Sequence, residues 1–252
     1  MKKTMSVLLA IAIMLSLSAC KENLQTEENN SSQSQSPNNN NISSDNFVDT
    51  SATTIEELES IIAKDIENTV NTLNSDWETL LAKVTTYDDY VKNAEEIEQF
   101  YEKINEQSEN ACIRLQEYAV KYAEMIMASN MSNDDKYDAF DDLNDCIYDD
   151  AADDLNDGIY DGLLKDMQDA LYEEVLDDSE KAPSYSDWFE IRSNEYENWY
   201  DTRSDVYENW YDTRSDIYGF FSDMRGKLWS DDIEKANKTL SDYKEDVEKL
   251  KK

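Results

Sequence analysis

The chain of 252 residues has no histidine, two prolines and four glycines. The absence of histidine excludes zinc sites with histidine ligands and excludes Ser-His or Cys-His pairs for nucleophilic catalysis. The glycines are not spaced as a phosphate-binding loop requires. An average composition would supply about 18 glycines and about 13 prolines. Because a sheet needs frequent turns, this scarcity predicts long helices joined by few connections.

Positive charge is also scarce, since 23 lysines and arginines accompany 58 aspartates and glutamates, for a formal net charge of −35. This sign excludes nucleic acid as a partner and attraction to an anionic lipid surface. No carboxylate pair stands out from the acidic background as a catalytic acid and base. We therefore expect no enzyme activity, no cofactor and no dedicated metal site. Solubility explains the charge best, and a response to divalent cations is an alternative.

The first twenty residues have the pattern of an export signal. Lys2 and Lys3 precede an apolar run over residues 8–17 that is too short to span a bilayer. Leu17, Ser18, Ala19 and Cys20 close the run, and they resemble the lipobox of bacterial lipoproteins. That resemblance implies a signal peptide at residues 1–19, cut by a peptidase of the signal peptidase II type, and a diacylglycerol on the Cys20 sulfur. An ordinary cleaved signal is the alternative.

The lipobox resemblance implies an extracytoplasmic protein that is anchored to the cell membrane by lipid. Two acyl chains hold a protein stably, at about 0.8 kcal/mol per buried CH₂. Residues 20–52 begin with Cys20 and are rich in asparagine, serine and glutamine. Such a segment buries too little apolar surface to become ordered. About 30 residues of such a tether reach on the order of 30 Å. We therefore expect a folded body that stands off the membrane.

Residues 53–182 carry the pattern of an acidic helical hairpin region. Thr54 and Glu57 form a capping box, and Ser132 with Asp135 starts another helix after a turn at residues 129–133. Between them an apolar seam advances by alternating steps of four and three residues, a heptad pattern. An N-cap signal at residues 85–86 leaves open whether this segment is one helix or two, although the unbroken seam favours a continuous rod or only a slight kink. The first seam residues are Ile66, Val70, Leu73, Trp77, Leu80, Val84, Tyr87 and Val91.

A 12-residue repeat follows, in which residues 141–148 recur as residues 153–160. A calcium loop would need oxygen ligands at its first, third and fifth positions and glycine at its sixth. One register puts Leu155 at the third position, and the other puts Gly158 at the fifth. The repeat therefore favours an acidic amphipathic helix, in which Gly158 and Gly162 allow a bend or a close helix crossing.

Residues 183–252 carry an 11-residue repeat, since residues 196–205 recur identically as residues 207–216. Eleven residues in three turns keep one stripe nearly in line along a helix. We predict one uninterrupted helix from Ser184, capped with Asp187, to at least Met224. The stripe that we single out as a candidate binding surface consists of Trp188, Tyr196, Trp199, Arg203, Tyr207, Trp210 and Arg214.

The stripe has two interpretations. The favoured one is structural: Trp199 and Trp210 are buried, and the repeat arginines, continued by Arg225, lie near carboxylates of a neighbouring helix. The alternative is a surface on which aromatic rings bind sugars and Arg203 and its repeats bind phosphates or carboxylates of a wall polymer.

Two further cysteines lie beyond the tether. A hairpin that turns near residue 131 places Cys112 opposite about residue 150, close to Cys146. Outside the cytoplasm such a pair can oxidise. A Cys112–Cys146 disulfide and two separate buried thiols both remain open.

These patterns predict an all-α protein with long antiparallel helices in an elongated coiled-coil-like bundle, preceded by a disordered tether. We expect a non-catalytic structural or interaction protein of a bacterial cell envelope. Its expected partners are the membrane, through the lipid anchor, and an envelope protein or wall polymer, with self-association left open. The alternatives are a binding module for wall glycan or anionic wall polymer and a protein that responds to divalent cations.

Overall fold

The computed structural model describes residues 51–251, and this part of the chain contains helices and no β-strand. The predicted all-α class is therefore confirmed. The signal peptide, Cys20 and the tether up to residue 50 lie outside the described residues. The helices are α1 (Ile55–Leu81), α2 (Tyr87–Ala128), α3 (residues 133–175), α4 (Tyr185–Trp229) and α5 (Ile233–Leu250), with a 3₁₀ turn at Ser179–Lys181.

The predicted caps begin three of these helices. The Thr54 hydroxyl accepts a hydrogen bond from the Glu57 amide, and the Glu57 carboxylate accepts one from the Thr54 amide. Such a box satisfies amide groups that have no partner within the helix. Ser132 and Asp135 form the same box at α3, and the Ser184 hydroxyl accepts from the Asp187 amide at α4.

The break between α1 and α2 shows that the continuous rod favoured by the seam is wrong. The Thr86 hydroxyl accepts a hydrogen bond from the Asp89 amide at 3.2 Å. The Asp89 carboxylate in turn accepts from the hydroxyls of Thr85 and Thr86 at 2.9 and 2.8 Å. This local cap begins a new helix. Val91, predicted in the seam, is 47% exposed, whereas the seam residues Val84 and Tyr87 are buried as predicted.

The apolar core lies where α2 packs against α1, α3, α4 and α5. Arg114 crosses from α2 to α1, where its Nε donates to Asp65 at 2.7 Å and its Nη2 donates to the Thr69 hydroxyl at 2.8 Å. A buried guanidinium needs such partners, because an unpaired charge in the core is strongly unfavourable. The large fully buried side chains include Tyr118, Tyr122, Phe140 and Phe221.

The predicted turn at residues 129–133 is confirmed, since α2 ends at Ala128 and α3 begins at Asn133. The disulfide across this hairpin is not formed, and Cys112 and Cys146 are separate. Burial raises the pKa of the Cys112 thiol to about 11, with the Thr213 hydroxyl beside it. Cys146 of α3 is only partly buried.

Gly158 of α3 lies at a close crossing with α1. A Cβ atom at Gly158 would lie 2.6 and 2.7 Å from the two methyl carbons of Val70. Real Cβ atoms do not approach side-chain carbons so closely, and Val70 has one stiff torsion with which to move away. Of the two expectations for this glycine, a bend or a close helix crossing, the structure shows the close crossing.

We expect Gly158→Ala to lower the free energy of unfolding by about 1–3 kcal/mol, because the added methyl overpacks the crossing. Most of this loss should disappear in a Val70→Ala background. Gly219→Ala is the matched control, since a Cβ at Gly219 meets no atom within 4 Å. It should stabilise the protein by about 0.5–1 kcal/mol through helix propensity. Urea unfolding checks the set, and equal effects at positions 158 and 219 would contradict the crossing.

Candidate functional site: repeated modules between α3 and α4

α4 carries the 11-residue repeat on one helix that runs without interruption from Tyr185 to Trp229, as predicted. Each copy advances the helix by about 16 Å and returns the same residue types to nearly the same face. The predicted stripe is therefore continuous along α4.

α3 contains one π-helical segment in each 12-residue repeat. A π segment accommodates one extra residue within an otherwise α-helical stretch. Twelve residues of α3 and eleven of α4 therefore both complete about three turns, and the two repeats keep the same axial step. The α-helical parts are Asn133–Asn144, Ala152–Asn156 and Leu164–Met167, and the π-helical parts are Asp145–Ala151, Asp157–Leu163 and Gln168–Val175.

The matched steps bring the repeats of α3 and α4 together as three copies of one arrangement, each of which we name a module. A module consists of a tyrosine from α3, together with a tryptophan, an arginine four residues later and a tyrosine four residues after that, all from α4. Module 1 contains Tyr148, Trp210, Arg214 and Tyr218; module 2 contains Tyr160, Trp199, Arg203 and Tyr207; module 3 contains Tyr172, Trp188, Arg192 and Tyr196.

The arginine in each module is held between two aromatic rings. In modules 1, 2 and 3 its Cζ lies 4.1, 4.1 and 3.9 Å from the centre of the α3 tyrosine ring. The same atom lies 5.1, 5.3 and 5.3 Å from the tryptophan ring. Each such cation-π contact contributes about 0.5–2 kcal/mol, depending on how far it is desolvated. These ring contacts fix the orientation of each guanidinium group.

The tryptophan of each module ties α4 to the backbone of α3. The indole N–H of Trp210, Trp199 and Trp188 donates to the carbonyl oxygens of Ala152, Leu164 and Leu176 at 2.9, 2.8 and 2.9 Å. Each of these carbonyls belongs to the residue that directly follows a π segment. The tryptophans therefore repeat every 11 residues on α4 against acceptors that repeat every 12 residues on α3.

The repeat arginines pair with carboxylates of α3 at three of four positions. Arg214 lies 3.2 Å from Asp149 and 2.9 Å from Asp153, and Arg203 lies 3.8 Å from Asp161. Arg225 pairs with Asp141.

Arg192 of module 3 is the exception to the predicted pairing, since none of the residues 51–251 forms an ion pair or a hydrogen bond with its guanidinium. Glu173 occupies the position equivalent to Asp161, twelve residues further along α3, and is exposed to solvent. The prediction of a nearby carboxylate is therefore not met for this arginine.

The predicted burial of the tryptophans is confirmed for Trp199, which is 7% exposed, while Trp188 and Trp210 are half-buried. Trp199, Trp210, Arg203 and Arg214 thus contact α3, as the structural interpretation of the stripe requires. The tyrosines of the stripe differ, since Tyr196 and Tyr207 are exposed.

Most exposed aromatic residues of α4 form a second stripe, which shares Tyr196, Tyr207 and Tyr218 with the modules. Its rings stack in pairs: Tyr185 with Phe189 at 6.4 Å, Tyr196 with Tyr200 at 6.2 Å and Tyr207 with Tyr211 at 6.2 Å. A row of exposed rings on one face is unusual for a surface without a partner. We name this surface the aromatic ladder, and it consists of Tyr185, Phe189, Tyr196, Tyr200, Tyr207, Tyr211 and Tyr218.

Sequence reasoning missed this division because it treated the repeated aromatic residues and arginines as one stripe. The signal that it overlooked is the second tyrosine of each pair. Tyr200 and Tyr211 follow Tyr196 and Tyr207 by four residues, the spacing at which side chains of a helix meet.

The surroundings of the aromatic ladder are acidic. Glu197, Asp201, Glu208 and Asp212 are exposed on its outer side, whereas the arginines of α4 are half-buried toward α3. The surface therefore combines aromatic faces with negative charge, and it repels a polyanion.

Within residues 51–251, no group of three or more cysteine, aspartate or glutamate side chains is placed to hold a metal ion. In the same part of the chain, no helix has both the length and the apolar character needed to cross a membrane. No family model matches the chain, and comparisons with curated proteins and with solved structures found no significant similarity.

Proposed function

We propose that this protein is a lipid-anchored, extracytoplasmic interaction protein of a bacterial envelope that presents the aromatic ladder to a partner and performs no catalysis. The lipobox resemblance of residues 17–20 supports the anchor, and the asparagine-rich tether supports a body held away from the membrane. The observation that carries the proposal is the aromatic ladder itself.

The packing of the helices supports a coiled-coil-like, antiparallel arrangement as the frame of this surface. Residues 148, 160 and 172 of α3 contact residues 218, 207 and 196 of α4, so the residue numbers rise on one helix as they fall on the other. In this proposal the three modules act as spacers. They hold α4 straight and keep its outer rings at intervals of about 16 Å.

The negative charge of the protein limits the classes of partner that the aromatic ladder can bind. The formal net charge of −35 and the exposed carboxylates beside the aromatic ladder oppose binding of an anionic wall polymer, and they oppose lateral pairing of two copies. Tyrosine supplies broad contact area at little cost in conformational entropy, and it is common at recognition surfaces. We therefore propose an uncharged or basic component of the envelope as the partner. Because no cluster of acidic side chains in residues 51–251 is placed to hold a metal ion, we do not propose a response to divalent cations.

The first arm of the test concerns the anchor. We expect the wild-type chain to sediment with membranes and Cys20→Ser to appear in the soluble extracytoplasmic fraction or as an uncleaved precursor. If Cys20→Ser fractionates and migrates like the wild type, the lipid anchor is wrong.

The second arm concerns the aromatic ladder. Tyr200→Ser/Tyr211→Ser removes two exposed rings, and Tyr200→Phe/Tyr211→Phe keeps both ring faces and serves as the matched control. Loss of two interface aromatics should weaken binding of the full chain to detergent-washed envelopes by about tenfold or more. The phenylalanine variant should bind like the wild type. Equal binding of all three chains in a sedimentation isotherm would refute the role of the aromatic ladder.

A further inference from the structure

An open groove of about 350 Å³ lies at module 3, where the aromatic ladder begins. Such a volume suits one small ligand or one unit of a polymer. The lining residues are Tyr172, Tyr185, Trp188, Phe189, Arg192, Ser193 and Tyr196. Of these, Arg192 is the one charged group.

The three modules provide an internal comparison for Arg192. In module 1, Arg214 stacks on Tyr148 and holds carboxylates of α3 at 2.9 and 3.2 Å. Arg192 stacks on Tyr172 in the same way, at 3.9 Å, but it faces the groove and pairs with no carboxylate of the described chain. The guanidinium of Arg192 is therefore held by its aromatic neighbours as the arginines of modules 1 and 2 are. Those two arginines bind carboxylates, whereas Arg192 is open to the groove.

The remaining lining groups indicate what carries the carboxylate. Tyr172, Tyr185, Tyr196 and Ser193 bring four hydroxyl groups, each able to donate and to accept a hydrogen bond. The negative faces of the aromatic rings attract polarised C–H groups. Hydroxyls together with ring faces suit a polyhydroxylated ring better than a purely apolar one.

We propose that this groove binds a sugar ring that bears a carboxylate, with the carboxylate on Arg192 and the ring against the aromatic side chains. A planar guanidinium can hold a carboxylate through two parallel hydrogen bonds. The acidic body repels a long polyanion, so the ligand is an isolated acidic sugar or one within an otherwise uncharged glycan. This site goes beyond the proposed function, because it does not depend on the rest of the aromatic ladder or on the anchor.

D-Glucuronate and D-glucose are the probes, since they differ in one carboxylate. Titration of the purified full chain is followed through the indole N–H resonances of its five tryptophans. Glucuronate should shift the Trp188 resonance to saturation, and glucose should bind about tenfold more weakly, as expected for loss of a charge-assisted hydrogen bond. Equal affinities would show that Arg192 does not bind the carboxylate of the ligand, and they would overturn the proposal. Tighter binding of phenylacetate than of glucuronate would also overturn it.

Arg192→Met should abolish the preference for glucuronate over glucose. Arg203→Met is the matched control, because Arg203 already pairs with Asp161 and lies outside the groove. Arg192→Lys keeps the charge and loses the planar fork, so it should retain part of the preference even if the methionine variant proves unstable. Full preference in a folded Arg192→Met chain would refute the site. Tyr211→Ser should leave glucuronate binding unchanged, because Tyr211 stacks on Tyr207 outside the groove, and this separates the site from the proposed partner surface.

Discussion

Replacement of Trp199 by alanine should lower the free energy of unfolding by about 3–5 kcal/mol, the usual cost of truncating a large buried aromatic side chain. Trp199 is the most deeply buried tryptophan of the modules, and its indole N–H donates to Leu164 of α3. Its loss would open a cavity between α3 and α4 and remove one ring that holds Arg203. Urea unfolding measures the change.

The next residue in the sequence provides a control for this prediction. Tyr200 is 56% exposed, so Tyr200→Ala should change the free energy of unfolding by about 0.5 kcal/mol or less. Trp199→Phe keeps most of the buried ring and loses the indole donor, and it should cost about 1 kcal/mol beyond the lost area. If Trp199→Ala and Tyr200→Ala cost the same, α4 does not pack on α3 through its tryptophans.

The first residues of the helices could be predicted where nearby residues form an N-terminal capping motif. Thr54, Ser132 and Ser184 each precede an acidic residue by three positions, and each begins a helix. The signal at Thr86 is of the same kind, but the heptad pattern continues across it and by itself indicates a continuous helix. Local hydrogen bonds determine where this helix starts, because they form within the segment itself.

The π segments of α3 were not predicted, although the repeat length carried a signal. Twelve residues in three turns require four residues per turn, more than the 3.6 of an α-helix. Neither the residue types nor the apolar periodicity by itself distinguishes a π-helical segment from an α-helical one. The effect of the extra residue becomes visible where α3 packs on α4. There it keeps Ala152 and Leu164 opposite successive tryptophans.

Burial within the 11-residue repeat also depends on the neighbouring helix. Trp199 and Tyr200 are adjacent and similar in chemistry, yet one is buried and the other is exposed. Which aromatic residues face α3 follows from the rotation of α4, which a repeat pattern does not specify. The sequence therefore identified the candidate site, but it did not separate the packing surface from the aromatic ladder.

Glu195 is a buried carboxyl that the acidic background of the sequence concealed. It lies at the repeat position that Val206 and Ile217 occupy in later copies, and it is 1% exposed. The hydroxyls of Tyr90 and Tyr101 on α2 donate to its two oxygens at 2.7 and 2.6 Å. Loss of hydration in the core raises the pKa of Glu195 to about 7, although both hydrogen bonds act to lower it.

The raised pKa makes the contribution of Glu195 to stability depend on pH. Between pH 4.5, the ordinary pKa of a glutamate, and about pH 7, the folded state holds a proton that the unfolded state releases. Folding is therefore favoured as the pH falls through this range. Above about pH 7 the ionised group opposes folding, by about 3 kcal/mol relative to the protonated group.

Glu195→Gln keeps the shape of the side chain and cannot ionise, so it should remove this dependence. We expect the variant to gain about 2.5 kcal/mol relative to the wild type when the pH is raised from 5 to 8. Glu208→Gln, which neutralises an exposed carboxylate of the same helix, controls for the general repulsion among the acidic residues. Urea unfolding of the three chains at both pH values measures the difference. If the two glutamine variants respond alike, Glu195 is ionised at no special cost in the folded protein, and the core admits water beside Tyr90 and Tyr101.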